Sequence, residues 1–282
     1  MKITIIIPVY NEQAHIEHML GSLVGQTIKP SQVIIVDDNS TDNTPSVIKK
    51  YVDTYPWITA INTHKTSKHS PGAKVIEAFY KGYEKCDLDA QLIGKFDADI
   101  ILPSNYLEKM VAIFASDNLV GIASGNLYIK KRDTWIFENI SEKTKVRGPI
   151  KLYKKECFEA IGGLKKSIGW DTVDGLLAAF HGWKTKTDPL LHVKHLKATG
   201  NAYTSGAKHK QGEAFYKMRY SKTLTRIAAL KLAVSKKDPL FYLHCMQGYN
   251  ISKKQKQPFI VSKQEGEFIR NFRWKAIKKK IL

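Results

Sequence analysis

Residues 2–12 read Lys2-Ile3-Thr4-Ile5-Ile6-Ile7-Pro8-Val9-Tyr10-Asn11-Glu12, and this stretch decides the fold. Its nearly unbroken β-branched run has no polar alternation, which marks a strand covered on both faces, as in a parallel sheet. The same grammar repeats outward. Within 12–25, Ile16, Met19, Leu20 and Leu23 recur at helical spacing. Residues 33–36 form a second apolar run. A polar loop follows, then Thr44 and Pro45 as N-cap and first-turn proline of a helix to about Tyr51. Residues 57–61, 91–96 and 119–123 read as further strands, with helices over 72–83 and 104–115. Alternating strands and helices predict an α/β architecture: a Rossmann-like, mixed but mostly parallel sheet flanked by helices.

The chain has 282 residues, 43% hydrophobic and 10% aromatic, enough to build a core and to exclude wholesale disorder. Its three cysteines, Cys86, Cys157 and Cys245, are odd in number and widely spaced. That excludes a disulfide scaffold and predicts a reducing compartment, the cytoplasm. The opening apolar run is too short for a signal-peptide core, and no stretch approaches ~18 uncharged apolar residues.

Net charge is +19, and it is concentrated near one end. Residues 1–192 hold 24 Lys/Arg against 22 Asp/Glu, whereas 193–282 hold 21 against 4. This asymmetry predicts two units. Residues 1–202 read as a balanced globular catalytic or binding unit. Residues 203–282 form a basic, mainly helical extension, with helices over 213–234 and 263–280 separated by Pro239 and Pro258. Its interleaved basic and apolar residues suit an anionic membrane surface, contacted through residues 213–282 at the inner face of the cell membrane. A helix packed on the catalytic domain with solvated lysines is the alternative. No DNA or RNA module is recognisable, so no nucleic-acid partner is expected.

Ligands of open parallel sheets gather at the carboxyl ends of strands. Three polar groups sit there: Pro8–Glu12, Asp37–Ser40 and Asp97-Ala98-Asp99. Residues i and i+2 of a strand project to one side, so the carboxylates of Asp97 and Asp99 should face one point and attract Mg²⁺ or Mn²⁺. Asp37 or Asp38 could accept hydrogen bonds from a base or ribose. No G-x-G-x-x-G follows the first strand and no P-loop occurs, so carboxylates and a metal, rather than glycines, must hold any nucleotide.

Together, residues 5–12 (IIIPVYNE), 36–44 (VDDNSTDNT), 96–99 (FDAD), Gly162-Gly163-Leu164 and 169–184 (GWDTVDGLLAAFHGWK) resemble the family 2 glycosyltransferases, over about residues 2–200. The resemblance implies a GT-A catalytic domain over 1–202, with a nucleotide-binding half over about 1–125 and an acceptor half over about 126–202, and an inverting transferase that uses a UDP- or GDP-sugar donor and a glycan or lipid-linked acceptor. It implies donor binding by Pro8, Val9, Tyr10, Asn11, Glu12, Asp37, Asp38, Ser40, Lys74, Asp97 and Ala98. It also implies Mn²⁺ or Mg²⁺ at Asp97 and Asp99, completed by a late histidine. His192 and His195, expected on one face of an extended segment, are both candidates, with His195 preferred. The general base falls on Asp171, with Asp174 one turn on as a competitor. Here Trp170 precedes Asp171 where the family usually carries a Glu-Asp pair.

Two other classes stand beside this one. A nucleotidyltransferase should carry a glycine-rich basic loop after the first strand, which PVYNEQAH (8–15) lacks. A non-catalytic basic protein, binding membrane or nucleic acid on a GT-A-like scaffold, would bind anionic surfaces without sugar transfer.

Overall fold

The computed structural model describes residues 1–63, 73–139, 142–197 and 209–281. The first half alternates as expected: β1 (Ile3–Val9), α1 (Ile16–Val24), β2 (Gln32–Asp37), α2 (Thr44–Thr54), β3 (Ile58–Asn62), α3 (Ala73–Tyr83) and β4 (Leu92–Phe96). After the short β5 (Ile100–Ile101) come α4 (Tyr106–Ser116) and the long β6 (Val120–Lys131), then β7 (Thr134–Phe137) and β8 (Ile150–Lys154). Next are α5 (Lys155–Ala160), α6 (Trp170–Phe180) and β9 (Lys184–His195). Four helices close the chain: α7 (Lys210–Lys217), α8 (Lys222–Lys236), α9 (Pro239–Lys254) and α10 (Lys263–Ile281).

The strands form one sheet in the order β3-β2-β1-β4-β8-β6-β9-β5, with β7 paired to β6. Pairing is parallel from β3 through β4, and parallel again between β6 and β9. Antiparallel β8 is inserted between β4 and β6. The sheet is therefore the mixed, Rossmann-like one expected. Strand β1 shows why its sequence lacks alternation: Ile3, Ile5, Ile7 and Val9 enter one core, with α1, α2 and α4, and Ile6 enters the other.

The second core continues from the sheet through α5 and α6 into the C-terminal helices, joining Trp170, Val173 and Leu177 to Ala214, Phe215, Met218, Tyr249 and Ile269. The basic extension thus shares the catalytic unit's core. Two of its boundaries differ from expectation. The helix read over 213–234 breaks at Arg219, whose φ is 58°, and restarts where the Ser221 hydroxyl accepts from Leu224 N at 3.2 Å. Pro239, read as a separator, instead opens α9, because a first-turn N–H has no intrahelical partner to lose. Gly212 and Gly248 let α7 and α9 touch through their backbones. A Cβ on Gly212 would lie 1.8 Å from Cys245 O, and one on Gly248 1.9 Å from His209 O.

Candidate active site

The loops after β1 and β2 lie side by side because these strands pair in parallel, Val9 opposite Asp37. They are laced together. Asn11 N donates to Ser40 Oγ at 2.9 Å, Thr41 N to Asn11 Oδ1 at 2.8 Å, and Glu12 N to Thr44 Oγ1 at 2.8 Å. Thr44, expected as an N-cap, spends its hydroxyl on that bond. Asn11 and Asn39 adopt left-handed φ of 52° and 62°, a conformation asparagine tolerates in turns. Asp37 is buried, and its Oδ1 accepts from Ser40 N at 3.0 Å and Ser40 Oγ at 2.6 Å. Asp38 accepts from the Thr63 hydroxyl at 2.7 Å. Tyr10 is exposed beside this floor, whereas the Val9 side chain belongs to the core and offers a ligand only backbone.

Asp97 follows β4 directly, and its N–H donates to Pro149 O at 2.9 Å. Residues 98–99 turn before β5, so it is a turn rather than strand alternation that sets the two carboxylates. Lys95, fully buried in β4, is ion-paired with Asp97 Oδ1. Asp99 Oδ1 lies 3.7 Å from His195 Nε2. The other ring nitrogen of His195 lies 3.2 Å from Glu138 Oε2, which accepts from Arg147 Nη2 at 2.9 Å. Burial, reinforced by the charge of Asp97, pushes the Asp99 carboxyl up to about 6, partly opposed by His195 and Lys197. The His195 imidazole is also raised: contact with Glu138 and Asp99 outweighs the burial that opposes its charge. Lys197 Nζ donates to both oxygens of Glu12, at 2.7 and 2.6 Å, so the loop after β1 is tied to the segment after β9.

Asp171 and Asp174 open α6 but have opposite surroundings. Asp174 is 1% exposed, accepts from Lys151 Nζ at 2.8 and 2.7 Å, and from the Tyr153 hydroxyl at 2.5 Å. Asp171 keeps its side chain open to solvent, yet the protein crowded around it raises its carboxyl, with Lys151 and Arg147 opposing the rise. A Cβ on Gly148 would lie 3.2 Å from the Asp171 Cβ, and the neighbouring Pro149 carbonyl holds Asp97. Asp171 and Asp97 therefore both adjoin one short segment, 147–149, Asp97 through its backbone N–H. Beneath them Lys95 and Lys151, register partners on β4 and β8, lie 5.0 and 5.7 Å from the centre of the Trp170 ring.

His192 does not share the face of His195. Exposure alternates along 191–195, because strand side chains point to opposite sides in turn and residues three apart face away from each other. His192 stacks on Tyr128 at the surface, and its Nε2 is 3.0 Å from that hydroxyl. Lys74 lies in the first turn of α3. Among the described residues, no group of three or more His, Cys, Asp or Glu side chains is arranged to hold a metal. The pair Asp99 and His195 comes nearest, with Glu138 behind the histidine.

Glu138, Arg147, Lys95, Lys151 and Lys197 were not singled out in the sequence. Lys95 carried a signal, a lone charge within an otherwise apolar strand, whereas Lys151 shares its strand with Lys154. Glu138 and Arg147 carried none.

A sheet of this order, with carboxylates gathered where its strands end, is the GT-A scaffold. The pattern of glycosyl transferase family 2 matches residues 4–165, and the chain belongs to that family. A dolichol-phosphate mannosyltransferase of Pyrococcus furiosus is 26% identical over 218 residues, covering 73% of this chain and 57% of that protein. An uncharacterized glycosyltransferase of Mycoplasma pneumoniae is 28% identical over 180 residues, covering 58% and 57%. The chain spans 35% to 57% of the length of three such curated relatives. Among solved structures, the mannosyltransferase PcManGT from Pyrobaculum calidifontis, in complex with GDP-Man and Mn²⁺, aligns with a TM-score of 0.59 at 17% identity, over 98% of this chain and 80% of that one. Staphylococcus aureus TarS 1–349 in complex with UDP-GlcNAc aligns at 0.58 and 18% identity, over 78% and 65%. These likenesses establish the fold.

Proposed function

We propose that this chain is an inverting glycosyltransferase, moving a sugar from a UDP- or GDP-sugar to a hydroxyl of a glycan or lipid-linked acceptor. The observation that supports the reading is that Asp171 and Asp97 both adjoin residues 147–149, Asp97 through its backbone N–H, with the Asp99–His195 pair next to Asp97. The nucleoside rests on the laced floor of Pro8–Glu12 and Asp37–Ser40, with Tyr10 free to cover it and Lys74 near the phosphates.

Asp99 and His195, with Asp97 alongside, would hold Mn²⁺ or Mg²⁺ together with diphosphate oxygens. The fit rests on the donor set: burial first, and then the charge of Asp97, pushes the Asp99 carboxyl up to about 6, and a divalent cation beside it and His195 would favour its ionised form. Glu138 at Nδ1 leaves His195 Nε2 directed at the same point, and imidazole suits Mn²⁺ better than Mg²⁺. When bound, the ion offsets the charge growing on the departing diphosphate.

The chain's own chemistry is proton removal and positioning. Asp171 takes the proton of the acceptor hydroxyl, and its raised carboxyl makes it a better base than an ordinary aspartate. The acceptor oxygen forms its bond to the anomeric carbon as the opposite bond breaks, and that electron pair leaves with the diphosphate. Asp174, locked to Lys151 and Tyr153, fixes the first turn of α6. Lys151 also donates to Asp171 O at 2.6 Å and so holds the base in place.

Residues 1–202 form the catalytic unit, whose half from about 126 binds the acceptor; residues 203–282 brace it and face the membrane. We place the protein in the cytoplasm, at the inner face of the membrane, on its three free thiols and its basic extension. Thermal-shift titration with UDP- and GDP-sugars, with and without Mn²⁺, tests the reading. Stabilisation that needs both sugar nucleotide and metal is expected, with transfer lost in Asp171→Asn. Equal stabilisation of the wild type and Asp99→Ala would overturn the metal assignment.

A further inference from the structure

Helix α8 is covered on one side and apolar on the other as well. Leu224, Thr225, Ala229 and Ala233 face the protein. On the outward side Ile227, Leu230 and Val234 recur at helical spacing and are 37%, 58% and 71% exposed. A surface helix normally gives that side to charged residues. Here Arg226 and Lys231, both exposed, flank the apolar stripe instead of replacing it.

The pattern continues across the turn. Lys237 and Asp238 alone separate α8 from α9, whose first turns expose Leu240 and Leu243. Leu230, Val234, Leu240 and Leu243 therefore sit at the same end of one helical hairpin. Residues 222–237 carry Lys222, Arg226, Lys231, Lys236 and Lys237 and no Asp or Glu. The one carboxylate at this end, Asp238, is spent capping Phe241 N at 3.3 Å. Elsewhere the extension's charge is partly used internally: Arg270 donates to Arg219 O and Arg273 to the Tyr220 hydroxyl.

We infer that this end of the α8–α9 hairpin seats on an anionic lipid bilayer. Leu230, Val234, Leu240 and Leu243 enter the boundary between headgroups and acyl chains, and Arg226, Lys231, Lys236 and Lys237 meet the phosphates. The combination selects this occupant. A second copy docking on the same patch by two-fold symmetry would oppose cation to cation. Nucleic acid would meet the cations but leave the apolar stripe against phosphates or water. A bilayer surface takes apolar side chains and cations within the same few ångströms of depth. No helix among the described residues is long and apolar enough to cross a membrane, so the contact lies at the surface. The inference needs no part of the donor chemistry. It narrows the membrane contact of the whole extension to one hairpin end.

The test is co-sedimentation of the full chain with phosphatidylcholine vesicles, with and without phosphatidylglycerol. Binding should require phosphatidylglycerol and weaken as salt rises. The double variant Leu230→Glu, Val234→Glu should lose on the order of tenfold or more in vesicle affinity, and Arg226→Gln, Lys231→Gln severalfold. All four positions are exposed, so an unchanged melting temperature verifies the fold. Unchanged donor binding in these variants separates this question from the glycosyltransferase reading. Wild-type protein that stays in the supernatant with both vesicle types overturns the inference. So does a glutamate variant that binds vesicles as the wild type does, one whose main effect is to abolish self-association, or wild-type protein that prefers duplex DNA to the anionic vesicles.

Discussion

His195 Nε2 stands 3.7 Å from Asp99 Oδ1, although β6, β7, β8 and α6 separate the two residues along the chain. Antiparallel pairing of β5 with β9 makes the meeting, with Ile100 opposite His195. The histidine's other nitrogen faces Glu138, so its orientation is set from behind. Glu138→Gln takes the carboxylate from the buried Arg147 and should cost some stability, and in the folded protein it should weaken apparent Mn²⁺ affinity about 10–100-fold, the usual effect of losing a carboxylate behind a ligating histidine. Isothermal titration with Mn²⁺ and a UDP- or GDP-sugar reads this directly; unchanged affinity would remove Glu138 from the site.

Asp99 gives the unliganded protein a pH signature. Its folded-state carboxyl titrates at about 6, above the 3.8 of an ordinary aspartate. Between those values the folded protein keeps a proton that the unfolded chain has released. The contribution of protonated Asp99 is therefore full below about pH 4 and lost as pH rises through about 6. Asp99→Asn, always neutral, should gain stability relative to wild type on going from pH 5 to 7.5 in metal-free buffer. The gain should be about 1.4 kcal/mol, read by chemical denaturation.

The two aspartates of α6 should fail in different ways. Asp171→Asn should cut turnover by about 10²–10⁴-fold with little change in melting temperature, since its side chain is open to solvent. Asp174→Asn strands the buried Lys151 ammonium and should cost about 3–5 kcal/mol of stability. Removing both charges, in Lys151→Met with Asp174→Leu, should recover much of that loss. Paired activity and unfolding measurements distinguish the roles.

Gly248→Ala tests whether the extension is bound into the fold. The added methyl would fall 1.9 Å from His209 O, a backbone atom that cannot step aside. Helices α7 and α9 would have to separate, disturbing the core around Phe215 and Tyr249. A loss of about 1–3 kcal/mol is expected, as for overpacking elsewhere, in a single unfolding transition shared with the catalytic unit. A separate, low-temperature transition for the C-terminal helices would contradict the shared core.

The sequence by itself determined the alternating half of the fold and which polar groups would gather at its strand ends. Parallel strands buried on both faces leave an unmistakable apolar run, and their carboxyl ends are marked by the polar residues that follow, as at Pro8–Glu12, Asp37–Ser40 and Asp97. Only the tertiary structure decided which of those groups are free to act. Asp171 and Asp174 look alike in the chain, and His192 and His195 were expected on one face, with His195 preferred. Burial against Lys151 and Tyr153 removes Asp174, and the two-residue period of a strand turns His192 away. Glu138 and Arg147 are brought to His195 by sheet pairing between segments far apart in sequence. No local spacing records such a meeting, because it depends on how the whole sheet closes.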